Sequence, residues 1–208
     1  MQPSDLAKAI SDHYPDPKTE LVHANEMQLA IAVALSAQTT DKKVNEITSK
    51  LFKKYLTWED FANADLTELT ADIRGVNFHV GKADRLIKMA NTVLSDFNGK
   101  LPRTMEELVT IPGVARKSAN VIMQEVWGIA EGIVVDTHVT RVSQRLGLTQ
   151  NTDPVKIEKD LMSQIPKNYW RTFSGGVVLH GRYVCIARKP KCEECFLNTV
   201  CPSAFREN

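Results

Sequence analysis

The fold class predicted by the sequence is all-α, and three observations carry that prediction. Segment after segment places apolar residues three and four apart, as with Ala83, Leu86, Ile87 and Ala90. The ends of those segments carry caps and breakers, such as Thr39-Thr40-Asp41, Asn98-Gly99 and Asp153-Pro154. No window of useful length shows the apolar–polar alternation of a half-buried strand.

Ser4 is the expected cap of a first helix over Asp5 to about His13. Tyr14-Pro15 closes it, because a residue before proline is pushed out of the helical region. After Asn25 a nearly all-apolar helix is predicted from Met27 to Ala37, and a helix apolar on most sides belongs at the centre of its domain. Thr39-Thr40-Asp41 then opens an amphipathic helix carrying Val44, Ile47, Leu51 and Phe52. The stretch from Trp58 to Ile73 breaks into short helical pieces, and Gly75 to Gly81 reads as a loop. Lys82 to Phe97 forms a helix with Ala83, Leu86, Ile87, Ala90 and Val93 on one face, stopped by Asn98-Gly99 and Pro102.

Leu108 to Gly147 is the stretch around which the rest is arranged. Ile111-Pro112-Gly113-Val114 reads as a tight turn, followed by a helix opening at about Ala115. Ala115, Ala119, Ile122 and Val126 form its apolar stripe, and Lys117 in its first turn points elsewhere. Gly113 tolerates positive φ and leaves no Cβ in the way of an incoming group. The N–H groups at the helix start then make an anion site suited to a nucleic-acid phosphate. Trp127-Gly128 breaks the helix, an apolar run reaches Val134-Val135, and Asp136 stands where an N-cap belongs. In the helix beyond it Val139, Val142 and Leu146 share a stripe, while Arg141 and Arg145 lie on another face. Asp153-Pro154 starts a helix with Ile157, Leu161 and Ile165 inward. A last segment, Trp170 to about Tyr183, contains Ser174-Gly175-Gly176, where close packing is expected.

With 208 residues the chain can build one large or two small domains. Its formal net charge is only +1, so any nucleic-acid binding must come from local clustering rather than a global field. No apolar run approaches the roughly 20 residues needed to span a bilayer, and the N-terminus lacks the apolar core of a signal peptide. A soluble intracellular protein is expected. All four cysteines fall between Cys185 and Cys201, spaced Cys185-x6-Cys192-x2-Cys195-x5-Cys201. A disulfide scaffold would spread them along the chain; crowding of this kind points to a metal or cluster. Zinc ribbons show two short Cys-x-x-Cys knuckles and here only one exists, which favours iron–sulfur without deciding it.

Together these motifs resemble the endonuclease III family of DNA-repair glycosylases, over about Leu21 to Cys201. Its helix-hairpin-helix stands here as Ile111-Pro112-Gly113-Val114-Ala115-Arg116-Lys117, with Ala115 in place of the second hairpin glycine. Val135-Asp136-Thr137-His138 follows at the family spacing. The resemblance implies a two-lobed helical fold: a bundle over 22–130, and a cluster-bearing lobe of 1–21 with 131–208, with DNA between them. It implies a base-excision enzyme that removes oxidised pyrimidines and cleaves abasic sites through a lysine Schiff base. Double-stranded DNA is then the partner, and a monomeric, cytoplasmic, nucleoid-associated protein is expected.

The same resemblance distributes the roles. Lys117 is the nucleophile, and Asp136 stabilises positive charge developing on the sugar. Cys185, Cys192, Cys195 and Cys201 hold a 4Fe–4S cluster. Gly113, Ala115 and Arg116 belong to the phosphate-binding hairpin. A free lysine is only about 0.04% neutral at neutral pH, so Lys117 needs a helix N-terminus, the neighbouring Arg116 and a desolvated cleft to become an amine nucleophile. Gln38 fills the hole left by a flipped base, and Phe78 is the wedge beside it. His79 departs from the family's usual aromatic residue and leaves the preferred lesion open. Arg182, Arg188, Lys189 and Lys191 form a basic patch without an acid inside it, fastened by the cluster against DNA.

Plainer readings compete residue by residue. Asp136 has a sufficient role as a helix cap, Gln38 as a polar helix end, and the charge run as a solvated face. Two rival functions follow: a monofunctional mismatch glycosylase of the same superfamily, and a non-catalytic hairpin DNA-binding protein with a structural metal.

Overall fold

A computed structural model of the chain describes residues 1–206, and among these the regular structure is helical, with one isolated bridge between Arg74 and Val76. The contacts divide the chain into two compact units, Thr19–Trp127 and Met1–Lys18 with Gly128–Asn208.

Unit Thr19–Trp127 is built on α2 (Glu26–Ser36), the apolar helix, whose Leu29, Ala30, Ile31, Ala32 and Leu35 are all buried. Asn25 caps it, accepting from the Gln28 amide at 2.9 Å. Around it stand α3 (Asp41–Lys54), capped by Thr40, α6 (His79–Phe97) and α8 (Arg116–Trp127). The short α4 (Trp58–Ala62) and α5 (Leu66–Asp72) pack on α6. Thr57 closes a capping box on α4, which explains how five residues hold a helix at all. The four-residue α7 (Met105–Leu108) leads into the hairpin.

The other unit packs α1 (Pro3–His13) and α9 (Thr137–Arg145) against α11 (Trp170–Tyr183), with α10 (Pro154–Gln164) between the last two in sequence. Its core gathers Ile10, Val139, Val142, Ile157, Leu161, Phe173 and Val177. The expected close packing is present: a Cβ on Gly176 would lie 2.8 Å from Ile10, so only glycine lets α1 approach α11.

Three local expectations need correction. Ser4 does not cap α1; the helix starts at Pro3 with Gln2 before it, because proline's fixed φ suits the first turn. The 75–81 loop is shorter than its composition suggests, since α6 already begins at His79. Phe78 adopts a left-handed conformation (φ 59°) and so turns the chain into the helix three residues early. Ala115 is exposed and not part of the α8 stripe, which starts at Ala119 and runs through Ile122 and Met123.

Candidate active site and cysteine loop

The hairpin turn is closed by the Val114 amide on the Ile111 carbonyl at 3.0 Å, with both side chains buried as anchors. Gly113 sits at φ 88°, where a Cβ would be strained whatever the space around it. Ala115, by contrast, is not in the left-handed region, so its side chain costs the turn nothing. The Ala119 amide bonds the Ala115 carbonyl at 2.9 Å, and the first amides of any helix have no carbonyl within it to bond. Lys117 and Arg116 stand exposed in this first turn of α8, and Gly113 is exposed in the turn before it. The desolvated setting expected for Lys117 is absent: its side chain is exposed.

Asp136 lies in the other unit and caps α9 with one oxygen. Its Oδ1 accepts from the His138 and Val139 amides, both at 2.8 Å, and leaves Oδ2 out of the cap. The strand-like run before it is pinned by Ser174, whose Oγ accepts from the Val134 amide at 2.9 Å and also reaches the Val134 carbonyl. Capping and chemistry therefore do not exclude each other at this carboxylate.

Gln38, Phe78 and His79, forty residues apart in sequence, line one depression together with Lys82 and Arg85. Gln38 and Phe78 both have left-handed backbones, φ 57° and 59°, and Phe78 leaves 68% of its surface exposed. Val80 in the same depression is also exposed, so two apolar side chains stand at its rim. The positive φ falls on Phe78 rather than on Asn77, whose side chain instead reaches the Gln38 carbonyl. Lys82, expected only as the first residue of a helix, is 5% exposed. Its Nζ donates to the Leu35 carbonyl at 2.7 Å and the Ala37 carbonyl at 2.6 Å. Burial pushes its pKa below the usual lysine value, with Arg85 adding to the effect.

The four cysteines line one cavity with Val142, Arg145, His180 and Asn198. They form no disulfide. Burial pushes the Cys195 and Cys201 thiols up, so metal ligation has to displace protons there. Among the described residues no three His, Cys, Asp or Glu side chains converge as a single metal ion requires. Four thiols lining one cavity are a donor set that an iron–sulfur cluster could use.

Two arginines that the sequence placed off the apolar stripe of α9 hold this loop. Arg145 donates to the Ile186 carbonyl at 2.8 Å, the Ala187 carbonyl at 2.9 Å and the Cys185 sulfur at 3.3 Å. Arg141 donates to the Gly181 carbonyl at 2.6 Å and the Cys185 carbonyl at 3.2 Å. His180 sits with Nε2 3.4 Å from the Cys195 sulfur and Nδ1 3.3 Å from the Tyr14 hydroxyl. Burial, helped by His13, lowers its pKa to about 4, so it is neutral at physiological pH. Arg188, Lys189 and Lys191 are exposed around one pocket, while Arg182 is half-buried on α11. The patch is less purely basic than its sequence suggests, because Lys191 lies 3.9 Å from Glu194.

Residues 31–167 match the model of the HhH-GPD superfamily base excision DNA repair proteins, and residues 185–201 match the iron-sulfur binding domain of endonuclease III. The endonuclease III of Synechocystis is 46% identical over 97% of this chain and 92% of that protein. The chain belongs to the endonuclease III family of base-excision repair enzymes. The Bacillus subtilis endonuclease III is 43% identical over 92% of the chain and 88% of its own length. A solved non-covalent endonuclease III–DNA complex superposes with a TM-score of 0.87 at 40% identity, covering 96% of this chain and 94% of that one. A trapped endonuclease III–DNA covalent intermediate superposes equally well, with a TM-score of 0.87. A thermostable thymine-DNA glycosylase, 23% identical, shares the fold with a TM-score of 0.82.

Family membership makes the chain a DNA glycosylase with abasic-site lyase activity, and its cysteine loop the seat of a 4Fe–4S cluster. The donor set fits that group: four thiols around one cavity, with Arg145 directed at the first of them. When bound, the cluster supplies folding energy to the loop that carries Arg188, Lys189 and Lys191.

Proposed function

We propose that the chain removes oxidised pyrimidines from double-stranded DNA and then cleaves the strand at the abasic site by β-elimination. The observation that carries this reading is the placement of Lys117, an exposed amine in the first turn of a helix that follows a glycine-turned hairpin. Gly113, Ala115 and Arg116 hold a backbone phosphate, and Lys117 in its neutral form attacks C1′ of an extruded nucleotide. The C1′–base bond breaks and the base leaves with its electron pair and a proton. Ring opening gives an imine on Lys117, and loss of a C2′ proton expels the 3′ phosphate. Asp136, through the oxygen left out of the α9 cap, stabilises positive charge on the sugar and assists proton movement. The two compact units support functional lobes of 22–130 and of 1–21 with 131–208. The proposal includes action as a monomer in the cytoplasm, nucleoid-associated through its DNA substrate. The monofunctional and non-catalytic readings are not favoured, given relatives named endonuclease III and a trapped covalent intermediate among the similar structures.

Single-turnover base release from duplexes carrying different oxidised pyrimidines tests the substrate class. Uniform inactivity on oxidised pyrimidines, with activity on another lesion, would overturn it. In the same assay His79→Tyr is expected to change the ratio of rates between lesions several-fold, because His79 lines the depression beside Phe78. Parallel rates on every lesion would reduce His79 to a support for α6.

The basic loop is expected to contact phosphates. Charge reversal at Lys189 and Lys191 should weaken DNA binding and flatten the salt dependence by up to about 0.9 log units per lost contact. Loss of the exposed Lys191–Glu194 pair adds little, since such pairs are worth about 0–1 kcal/mol. An unchanged slope would place the loop away from DNA.

A further inference from the structure

The two loops assigned to enter the duplex are tied together by one buried cation. The main-chain amide of Lys82 donates to the Phe78 carbonyl at 3.0 Å, which fixes the start of α6. Its Nζ reaches across to the other loop, to the carbonyls of Leu35 and Ala37 and, at 3.4 Å, to the Thr39 hydroxyl. These acceptors bracket Gln38 on both sides. The Thr39 hydroxyl also accepts from the Asn77 amide at 3.1 Å, and the Asn77 side chain meets the Gln38 carbonyl. Gln38 and Phe78 are both non-glycine residues in the left-handed region, a conformation that persists only where the surroundings over-determine it.

A buried ammonium is an expensive way to fill volume, since burying a charge costs far more than burying a methylene chain. Here it meets neutral oxygens at the C-terminal end of α2, where the helix leaves its last carbonyls without partners and its dipole favours a cation. One residue therefore satisfies the end of one helix and starts another, with a proposed duplex-entering residue at each junction.

We infer that Lys82 is a positioning residue that couples Gln38 to Phe78, so that plug and wedge enter DNA as one unit when a nucleotide is extruded. This rests on the reading of Gln38 and Phe78 as the duplex-entering residues. Lys82 itself touches neither substrate nor reacting atoms. Its contribution lies in extrusion from a duplex, a step that a single-stranded abasic substrate does not require.

The test compares borohydride-trapping rates of the cluster-loaded enzyme on duplex and single-stranded abasic oligonucleotides. The ratio of the two isolates extrusion from the later chemistry. Lys82→Met is expected to lower that ratio at least tenfold, and Lys82→Arg to recover most of it. Gln38→Ala and Phe78→Ala should each lower the ratio by a similar factor and combine non-additively in the double variant. In the Lys82→Met background the same two changes should have little left to remove. A Lys82→Met ratio within twofold of the parent, with Gln38→Ala and Phe78→Ala still lowering it, overturns the coupling and leaves the loop reading intact. No effect from Gln38→Ala or Phe78→Ala overturns the loop reading itself, and the coupling with it. Should Lys82→Met fail to fold, Thr39→Val removes only the shared hydroxyl. It is expected to lower the ratio at least threefold, and an unchanged ratio counts against the coupling.

Discussion

Replacing Lys117 with alanine is expected to abolish the borohydride-trapped protein–DNA adduct and to slow base release by at least about a thousandfold. That is the order of loss seen when an enzyme's nucleophile is removed. The variant should fold normally, because Lys117 is exposed and an exposed helical lysine contributes within about 0.5 kcal/mol. Lys117→Arg should be equally inactive, since a guanidinium stays charged and cannot form the imine. Normal trapping by the alanine variant would remove Lys117 from the mechanism. Strand cleavage surviving without trapping would point instead to activated water.

Most of the helices were legible in the sequence because they announce both a face and an end. Asn25, Thr40, Thr57, Asp136 and Asp153 all accept from main-chain amides at the starts of their helices. The cysteine spacing and the hairpin were legible for a different reason: their chemistry demands fixed residue types at short range. What escaped was long-range. Lys82 falls in phase with Leu86, Met89 and Val93, the buried stripe of α6, and that phase is the signal that it is buried. Its acceptors lie more than forty residues away, and no local pattern names them. Arg141 and Arg145 were read only as lying on a face other than the apolar stripe, for the same reason. Only the fold brings residues 181 to 187 against that face and turns two surface charges into the fastening of a cluster loop. Phe78 defeated the boundary of α6 because bulky residues rarely adopt positive φ, so composition alone extends the loop past it.

Asp136 carries two assignments that a suitable pair of substitutions separates. The cap uses Oδ1 alone, bonded to two amides, and asparagine caps about as well as aspartate because its carbonyl oxygen can take the same position. Asp136→Asn should therefore keep the stability of the unit containing α9 within about 0.5 kcal/mol, while removing the charge proposed to stabilise the sugar cation. Base release is expected to fall by about 10²–10⁴-fold, the range associated with losing a positioned acid–base group. Asp136→Ala loses both functions. The same fall in rate should then come with about 1 kcal/mol of lost stability, since two α9 amides are left without their acceptor. Thermal melting and single-turnover kinetics on the three proteins place each on two independent axes. An asparagine variant that is both stable and fully active would confine Asp136 to its cap, and the charge stabilisation at the sugar would have to come from another group.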